Sequence, residues 1–323
     1  MAEAFAPGKC ILFGEHAVVY GHPAVAIAIE QGVNVSIKKS EEWMIGGKKF
    51  DPSKHPHISH ILHDLFHYKG EPLKIEIQSQ LFSAAGLGSS AALSNAMGAA
   101  LHKLVNPNEK LDVIKLAKLG HSAEAAAQEG RASPTDTATS SLGGCVVVSG
   151  EKIGGTEHIF DTELVTPEGK RTWSISKAIL PEGVEDIWLI LGFTGVGSPT
   201  GKMVAGVADL LSREPHKKDV MNDINEITHR GLKALSVGNF GDVGVAMNEC
   251  HEHLRSLGVS NESLDRLVEA VRPYSLGAKM TGAGGGGCMV ALSKEPQRVS
   301  EQIEIAGGIP MISKLLSKGV RVL

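Results

Sequence analysis

The stretch Phe82–Leu104, FSAAGLGSSAALSNAMGAALHKL, constrains this chain more than any other, because glycines and serines there join a strand to a helix. Upstream, Leu73–Ser79 alternates apolar and polar residues with period two, the pattern of a half-buried strand. Downstream, Leu93, Met97, Leu101 and Leu104 recur at spacings of four, four and three, which marks one face of a helix. Gly86 and Gly88 let the backbone approach an anion closely. Ser89 and Ser90 fall where an N-cap belongs, so free amides and the positive helix end face the loop. A P-loop would need a lysine after the second glycine, and none follows. Gly86-Leu-Gly88-Ser-Ser-Ala91 matches a dinucleotide fingerprint in form, but its acidic partner about 20 residues on would fall in the helix body or at the Pro107 break. An anion cradle and an ordinary capped turn both remain open from this stretch alone.

Composition narrows the class. The 323 residues suffice for two domains with sizeable cores, with the junction expected after residue 184, giving 1–184 and 185–323. A net charge of −4 with both signs spread along the chain offers no basic stripe for nucleic acid. An apolar content of 42% with 38 glycines fits an α/β protein rich in tight turns. No apolar run reaches about 18 residues, which excludes a simple membrane span. Cys10, Cys145, Cys250 and Cys288 lie far apart and form no CxxC. With no signal-peptide layout at the N-terminus, they read as reduced, buried thiols of a cytoplasmic protein.

Taken in order, the chain opens with a strand-like run, Cys10–Phe13, flanked by Lys9 and by Glu15-His16, each beside a glycine. Polar groups at strand ends can meet a ligand or simply form a solvated turn. Val33–Lys38 reads as a strand and Trp43–Phe50 as a hairpin turning at Gly46-Gly47. His55, His57, His60, His63 and His67 follow closely. His60, His63 and His67 share a helical face that could bind zinc, but a surface helix over Ile58, Ile61, Leu62, Leu65 and Phe66 is the reading adopted. Leu111–Glu129 is expected to be a helix carrying His121 and Glu124, followed by the polar turn Gly130–Thr137 and the strand Gly144–Ser149. Residues 151–181 read as polar and irregular, with scattered short strands. Ile187–Phe193 is a buried strand opening the second domain. Helices then cover the residues from Met203 to Leu211, Asp219–Ser236, Phe240–Ser256 and Glu262–Tyr274, with His229, His251 and His253 expected at the surface. Ala278–Thr281, the glycine run 282–287 and Cys288–Leu292 form a strand–loop–strand unit in which backbone crowds a ligand or the opposite lobe. Closing helices and a short strand, Val320–Leu323, finish the chain.

Four of these segments carry a resemblance. PGKCILFGEHAVVYG resembles the first signature of mevalonate kinases in the GHMP superfamily, AGLGSSAA is similar to the superfamily's phosphate-binding motif, and KMTGAGGGGC to its third motif. GRASPTDT is similar to the segment that carries the catalytic aspartate in archaeal-type members, which corresponds to Asp136. The resemblance implies an α/β, two-domain GHMP kinase fold: a ribosomal-S5-like N-terminal domain, a ferredoxin-like C-terminal domain, and an active site in the cleft. It implies ATP- and Mg2+-dependent phosphorylation of the C5 hydroxyl of mevalonate, by a homodimer without nucleic-acid or membrane partners.

The roles implied by the same resemblance fall on particular residues. Ala85, Gly86, Leu87, Gly88, Ser89 and Ser90 would cradle the ATP phosphates. Ser90 and Glu124 would hold Mg2+, Asp136 and Lys9 would be catalytic, and Glu15, His16 and Thr200 would bind substrate. Two positions depart from the family pattern. Glu124 keeps its spacing from His121, but counting back from Asp136 gives Ala125 instead. Ala84 stands where the family commonly has glycine, which should stiffen the phosphate loop slightly. A sister kinase acting on phosphomevalonate, homoserine or another mevalonate hydroxyl would reuse the same machinery, and a catalytically silent sensor would keep the ligand sites alone.

Overall fold

Two long strands, β1 (Ala2–Phe13) and β2 (Ala24–Lys39), pair antiparallel at the start of the chain, and nearly every residue of β1 is buried. A strand covered on both faces reads as a run of apolar and small residues rather than an alternation, as AEAFAPGKCILF does. The computed structural model describes residues 1–127, 132–166 and 169–323. The β1–β2 register shifts between Pro7 and Lys9 and again between Ile11 and Phe13. Such irregularities re-aim side chains. At the first of them the Lys9 amide donates to Leu87 O at 2.9 Å.

β3 (Met44–Ile45), β4 (Lys48–Lys49), β5 (Leu73–Ser79), β6 (Cys145–Ser149), β7 (Thr156–Thr166) and β8 (Gly169–Ala178) extend the sheet in the order β4-β3-β5-β2-β6-β8-β7. Over it lie α1 (Pro56–His60), α2 (Ser89–Val105), α3 (Val113–Ala127) and α4 (Thr135–Leu142). α2 is buried almost throughout from Ala91 to Leu101, which explains its small residues. A Cβ on Gly98 would meet Leu116 at 2.6 Å, so glycine there sets how closely α2 and α3 approach. α4 is polar by composition yet buried, because its hydroxyls bond backbone: Thr139 Oγ1 donates to Thr135 O at 2.7 Å and Ser141 Oγ to Val113 O at 2.6 Å.

The second lobe runs β9 (Trp188–Phe193), α5 (Thr200–Arg213), α6 (Lys218–Ser236), α7 (Phe240–Ser256), α8 (Glu262–Val271), β10 (Gly277–Met280), β11 (Cys288–Ser293), α9 (Pro296–Ile305) and β12 (Ile309–Lys314). Its antiparallel sheet has the order β10-β11-β9-β12. The junction expected after residue 184 falls between β8 and β9, but β13 (Arg321–Val322) returns to the first sheet and pairs with β1. One hydrophobic core spans both lobes: Phe13 of β1 fills the space a side chain at Gly231 of α6 would need, and Phe82 stacks on Phe193 at 4.8 Å. Deep in the junction, Lys279 of β10 forms an ion pair with Glu15 in which both side chains are fully buried, and it also donates to Met280 O at 2.7 Å.

Several expectations change. Residues 151–181 are not irregular but contain the long β7–β8 hairpin, whose alternation is masked by charged pairs such as Glu163–Lys170 and by the buried serines Ser174 and Ser176. Asp136 lies in the first turn of α4 rather than on a loop. The cap of α2 is Gly88 in the left-handed region, and Ser89 and Ser90 begin the helix itself. His60, His63 and His67 share no regular face, because α1 passes into a π turn at Ile61–Leu65 and His67 lies beyond it at φ 47°. A single closing helix, α9, precedes two strands. His251 is buried rather than at the surface. The expected helix end at Glu129 and the Gly130-Arg131 start of the following turn lie outside the described residues. All four cysteines are free and buried, and burial pushes the Cys10, Cys145 and Cys250 thiols up to about 12.

Two stability predictions follow from the buried charges. Burial lowers His251 to about 3, with Lys279, Arg272 and Arg255 opposing a further positive charge and Glu252 favouring it. Asp265 lies 3.2 Å from Nε2, but Arg255 already neutralises that carboxylate at 3.1 Å, so burial dominates. The unfolded chain therefore binds a proton that the folded chain refuses between about pH 6.5 and about 3, and stability falls as pH drops through that window. Urea midpoints measured stepwise from about pH 7 to about pH 5 should decline, and His251→Gln should flatten that decline. Lys279→Met leaves the Glu15 carboxylate buried and uncompensated, so it should cost about 3–5 kcal/mol in the same assay. Adding Glu15→Gln should recover part of that loss.

Candidate active site

The register shift in β1 falls beside Lys9, whose side chain reaches both the phosphate loop and the start of α4. Its Nζ donates to Gly86 O at 2.7 Å and lies 3.2 Å from Asp136 Oδ1, with the lysine side chain 3% exposed and the aspartate 38%. Asp136 reaches this point because α4 begins at Thr135, and a carboxylate in a first helical turn is favoured by the helix dipole. Gly88 sits against both: a Cβ there would meet Lys9 Cγ at 3.2 Å and Asp136 Oδ2 at 3.5 Å. Lys9, Asp136 and the phosphate loop are thus one cluster.

The loop is shaped by left-handed residues, Ala84 at φ 51°, Gly86 at 76° and Gly88 at 70°. For alanine that region costs about 1–2 kcal/mol, so Ala84 is strained where glycine would not be. The second lobe holds it in place: Ser198 N donates to Ala84 O at 2.6 Å and Cys288 N to Ala85 O at 3.2 Å. The glycine run packs backbone to backbone on the same loop, since a Cβ on Gly282, itself at φ 82°, would meet Gly86 Cα at 3.1 Å. No side chain caps α2, which leaves its first amides facing the loop.

At the same helix end, Ser90 Oγ donates to Glu124 Oε2 at 2.9 Å. Glu124 is a buried carboxylate on α3, so the structure sets Glu124 rather than Ala125 against the loop. His57 approaches the other side of that carboxylate, with Nδ1 3.4 Å from Oε1. His16, at φ 61°, contacts Ala283 O through Nε2 at 3.0 Å, and burial lowers its pKa against the pull of that contact. Glu15 faces Lys279, and burial raises its carboxyl although Lys279 opposes the rise. Thr200 opens α5 with an exposed side chain, two residues beyond Ser198, and is not drawn into the Lys9–Asp136 cluster by a hydrogen bond.

Sequence reading missed Lys279, Thr281 and His57. Thr281 Oγ1 accepts from Ile11 N at 2.8 Å and donates to Ile11 O at 3.2 Å, joining the third motif to β1. A lysine inside the apolar strand around Ala278–Met280 was the available signal for a buried partner. Two clefts elsewhere, of about 470 Å³ beside Lys118 and Thr172 and about 580 Å³ beside Phe66 and Leu119, contain none of these groups.

Family models for the GHMP kinases N terminal domain and the GHMP kinases C terminal match residues 57–144 and 232–307. The chain is 32% identical to the mevalonate kinase of Pyrococcus furiosus, covering 99% of this chain and 97% of that one. It is 33% identical to that of Archaeoglobus fulgidus, over 93% and 99%. The crystal structure of the Methanococcus jannaschii mevalonate kinase superposes with a TM-score of 0.78 at 26% identity, over 98% of each chain. Identity of this order along nearly the whole length, on a shared fold, establishes that the chain belongs to the GHMP kinase family.

Proposed function

We propose that this chain transfers the terminal phosphoryl group of ATP to the C5 hydroxyl of mevalonate, giving 5-phosphomevalonate. The observation that carries this reading is the Lys9 ammonium, in contact at once with Asp136 and with the phosphate loop. The names of the archaeal relatives supply the substrate. Phosphoryl transfer needs positioning and charge neutralisation more than covalent chemistry, and this cluster offers both.

In this reading the backbone of Ala85–Ser90 and the open start of α2 receive the nucleotide phosphates. Asp136 accepts the proton of the attacking hydroxyl, and Lys9 fixes the carboxylate while stabilising charge that develops on the transferred group. Ser90 and Glu124 fit Mg2+: a hydroxyl and a buried carboxylate already in contact are two hard oxygen donors, and the ion commonly takes only one or two from protein. Among the described residues no group of three or more His, Cys, Asp or Glu forms a rival metal site. When bound, the cation would neutralise charge on the phosphate oxygens. Glu15, His16 and Thr200 are the proposed substrate contacts; Glu15 Oε2 is buried with no hydrogen-bond partner among the described residues and can accept from a hydroxyl. A homodimer and a cytoplasmic location complete the reading and rest on the family resemblance, while no described helix is long and apolar enough to cross a membrane.

ADP release with Mg-ATP, assayed against mevalonate, phosphomevalonate, homoserine and galactose, tests this directly. Turnover should appear with mevalonate, and Asp136→Asn should lower kcat by about 10²–10⁴-fold. Phosphorus NMR of the product should place the phosphate on C5; turnover on another substrate would replace mevalonate, and silence on all four with ATP still bound would indicate a sensor. Glu124→Gln should raise the Mg2+ concentration needed for half-maximal rate far more than Glu129→Gln does, and equal small effects would remove Glu124 from the cation site.

A further inference from the structure

The two ends of α4 are held differently. Its last turn is tied to distant backbone, with Ser141 Oγ donating to Val113 O at 2.6 Å and Val320 N to Ser140 O at 3.1 Å. Its first turn carries Asp136 and has no side-chain cap. Among the described residues, one hydrogen bond from another helix reaches that turn: Asn95 Nδ2 of α2 donates to Thr137 O at 2.9 Å. Thr137 is the residue next to Asp136.

Asparagine is a poor helix former and is seldom fully enclosed. Asn95 is nevertheless completely buried, in a stretch of α2 whose other residues are apolar or small. Exchanging its amide oxygen and nitrogen would set two acceptors against each other, so the Thr137 carbonyl fixes which way the amide points. Asn95 Oδ1 has no hydrogen-bond partner among the described residues and packs on α3, where a Cβ at Gly120 would meet it at 2.4 Å. A buried acceptor without a partner costs free energy, which leaves the bond to Thr137 as what the amide contributes. The helix that carries Asn95 begins at the phosphate loop with Ser89 and Ser90. The bond therefore spans from the helix that opens at the phosphates to the helix that bears the aspartate.

We propose that Asn95 is a positioning residue for Asp136, holding the first turn of α4 at a fixed distance from the phosphate loop. Lys9 grips the carboxylate itself, and Asn95 grips the backbone beside it. The proposal rests on the reading of Asp136 as the base given above. A displacement of about 1 Å between reacting groups can cost about 10²-fold in rate.

The test is a double-mutant cycle on the full chain with Mg-ATP and mevalonate. Asn95→Leu keeps the volume of the side chain and removes the donor. It is assayed alone and together with Asp136→Asn, at a temperature where circular dichroism shows each variant folded. Asn95→Leu alone should lower kcat about tenfold or more with both KM values within about twofold, and the loss should nearly vanish once residue 136 can no longer act as a base. A merely structural role lowers turnover by the same factor in both backgrounds. Equal factors, or a kcat that Asn95→Leu leaves unchanged, overturn the proposal and leave the role of Asp136 standing. Gly120→Ala retains Asn95 but pushes its amide aside, so the same cycle run with it decides the matter where Asn95→Leu does not fold. Turnover that is indifferent to Asp136→Asn, or absent with all four substrates named above, overturns the reading of Asp136 and this proposal together.

Discussion

The Lys9 ammonium is the charge around which the N-terminal lobe is arranged. It is almost fully enclosed, so it cannot be left to water, and its partners come from segments far apart in sequence: the phosphate loop at Gly86 and the head of α4 at Asp136. To bring both within reach, β1 shifts register at Gly8, α4 begins where it does, and Gly88 gives up a side chain. Each of these features looks local when taken alone. Together they answer the requirement that one buried cation be paired on two sides.

The second lobe completes the arrangement by holding what the first strains. Ala84 adopts a backbone conformation that alanine avoids, and the amide that fixes its carbonyl comes from Ser198 beyond the lobe junction. Lys279 and Thr281 bind Glu15 and Ile11 from the same side. A phosphate loop supported in this way has its shape set by contacts with the other lobe as much as by its own glycines.

Much of this was legible in the sequence where periodicity and glycine act locally. The strand at Leu73–Ser79, the hairpin turning at Gly46-Gly47, the long helices of the second lobe and the strand–glycine–strand unit all follow from such patterns. α4 was not legible, because Thr135, Thr137, Thr139, Ser140 and Ser141 show no apolar stripe, and their burial depends on hydroxyls finding backbone partners that only the folded chain supplies. The β7–β8 hairpin was hidden by cross-strand charges, and the burial of His251 by its residue type, since it lies on the buried stripe of α7 with Val243, Met247, Cys250 and Leu254. Within the site, Lys9, Asp136, Ser90 and Glu124 were singled out through the resemblance of their segments to the family's motifs, not by local pattern. His57 and Lys279 required tertiary contacts, since nothing local in a histidine-rich turn or a short strand says which charge will face it.

The pairing of β13 with β1 also bears on how the chain is made. Until residues 321–322 have left the ribosome, the outer edge of β1 near Ala4 and Phe5 has no partner and offers unpaired backbone to any passing strand. Domains usually fold as they emerge, the first ahead of the second. Here the first sheet waits for the far end of the sequence, a contact of very long range that slows folding and lengthens the time for which an open edge must be kept from other chains.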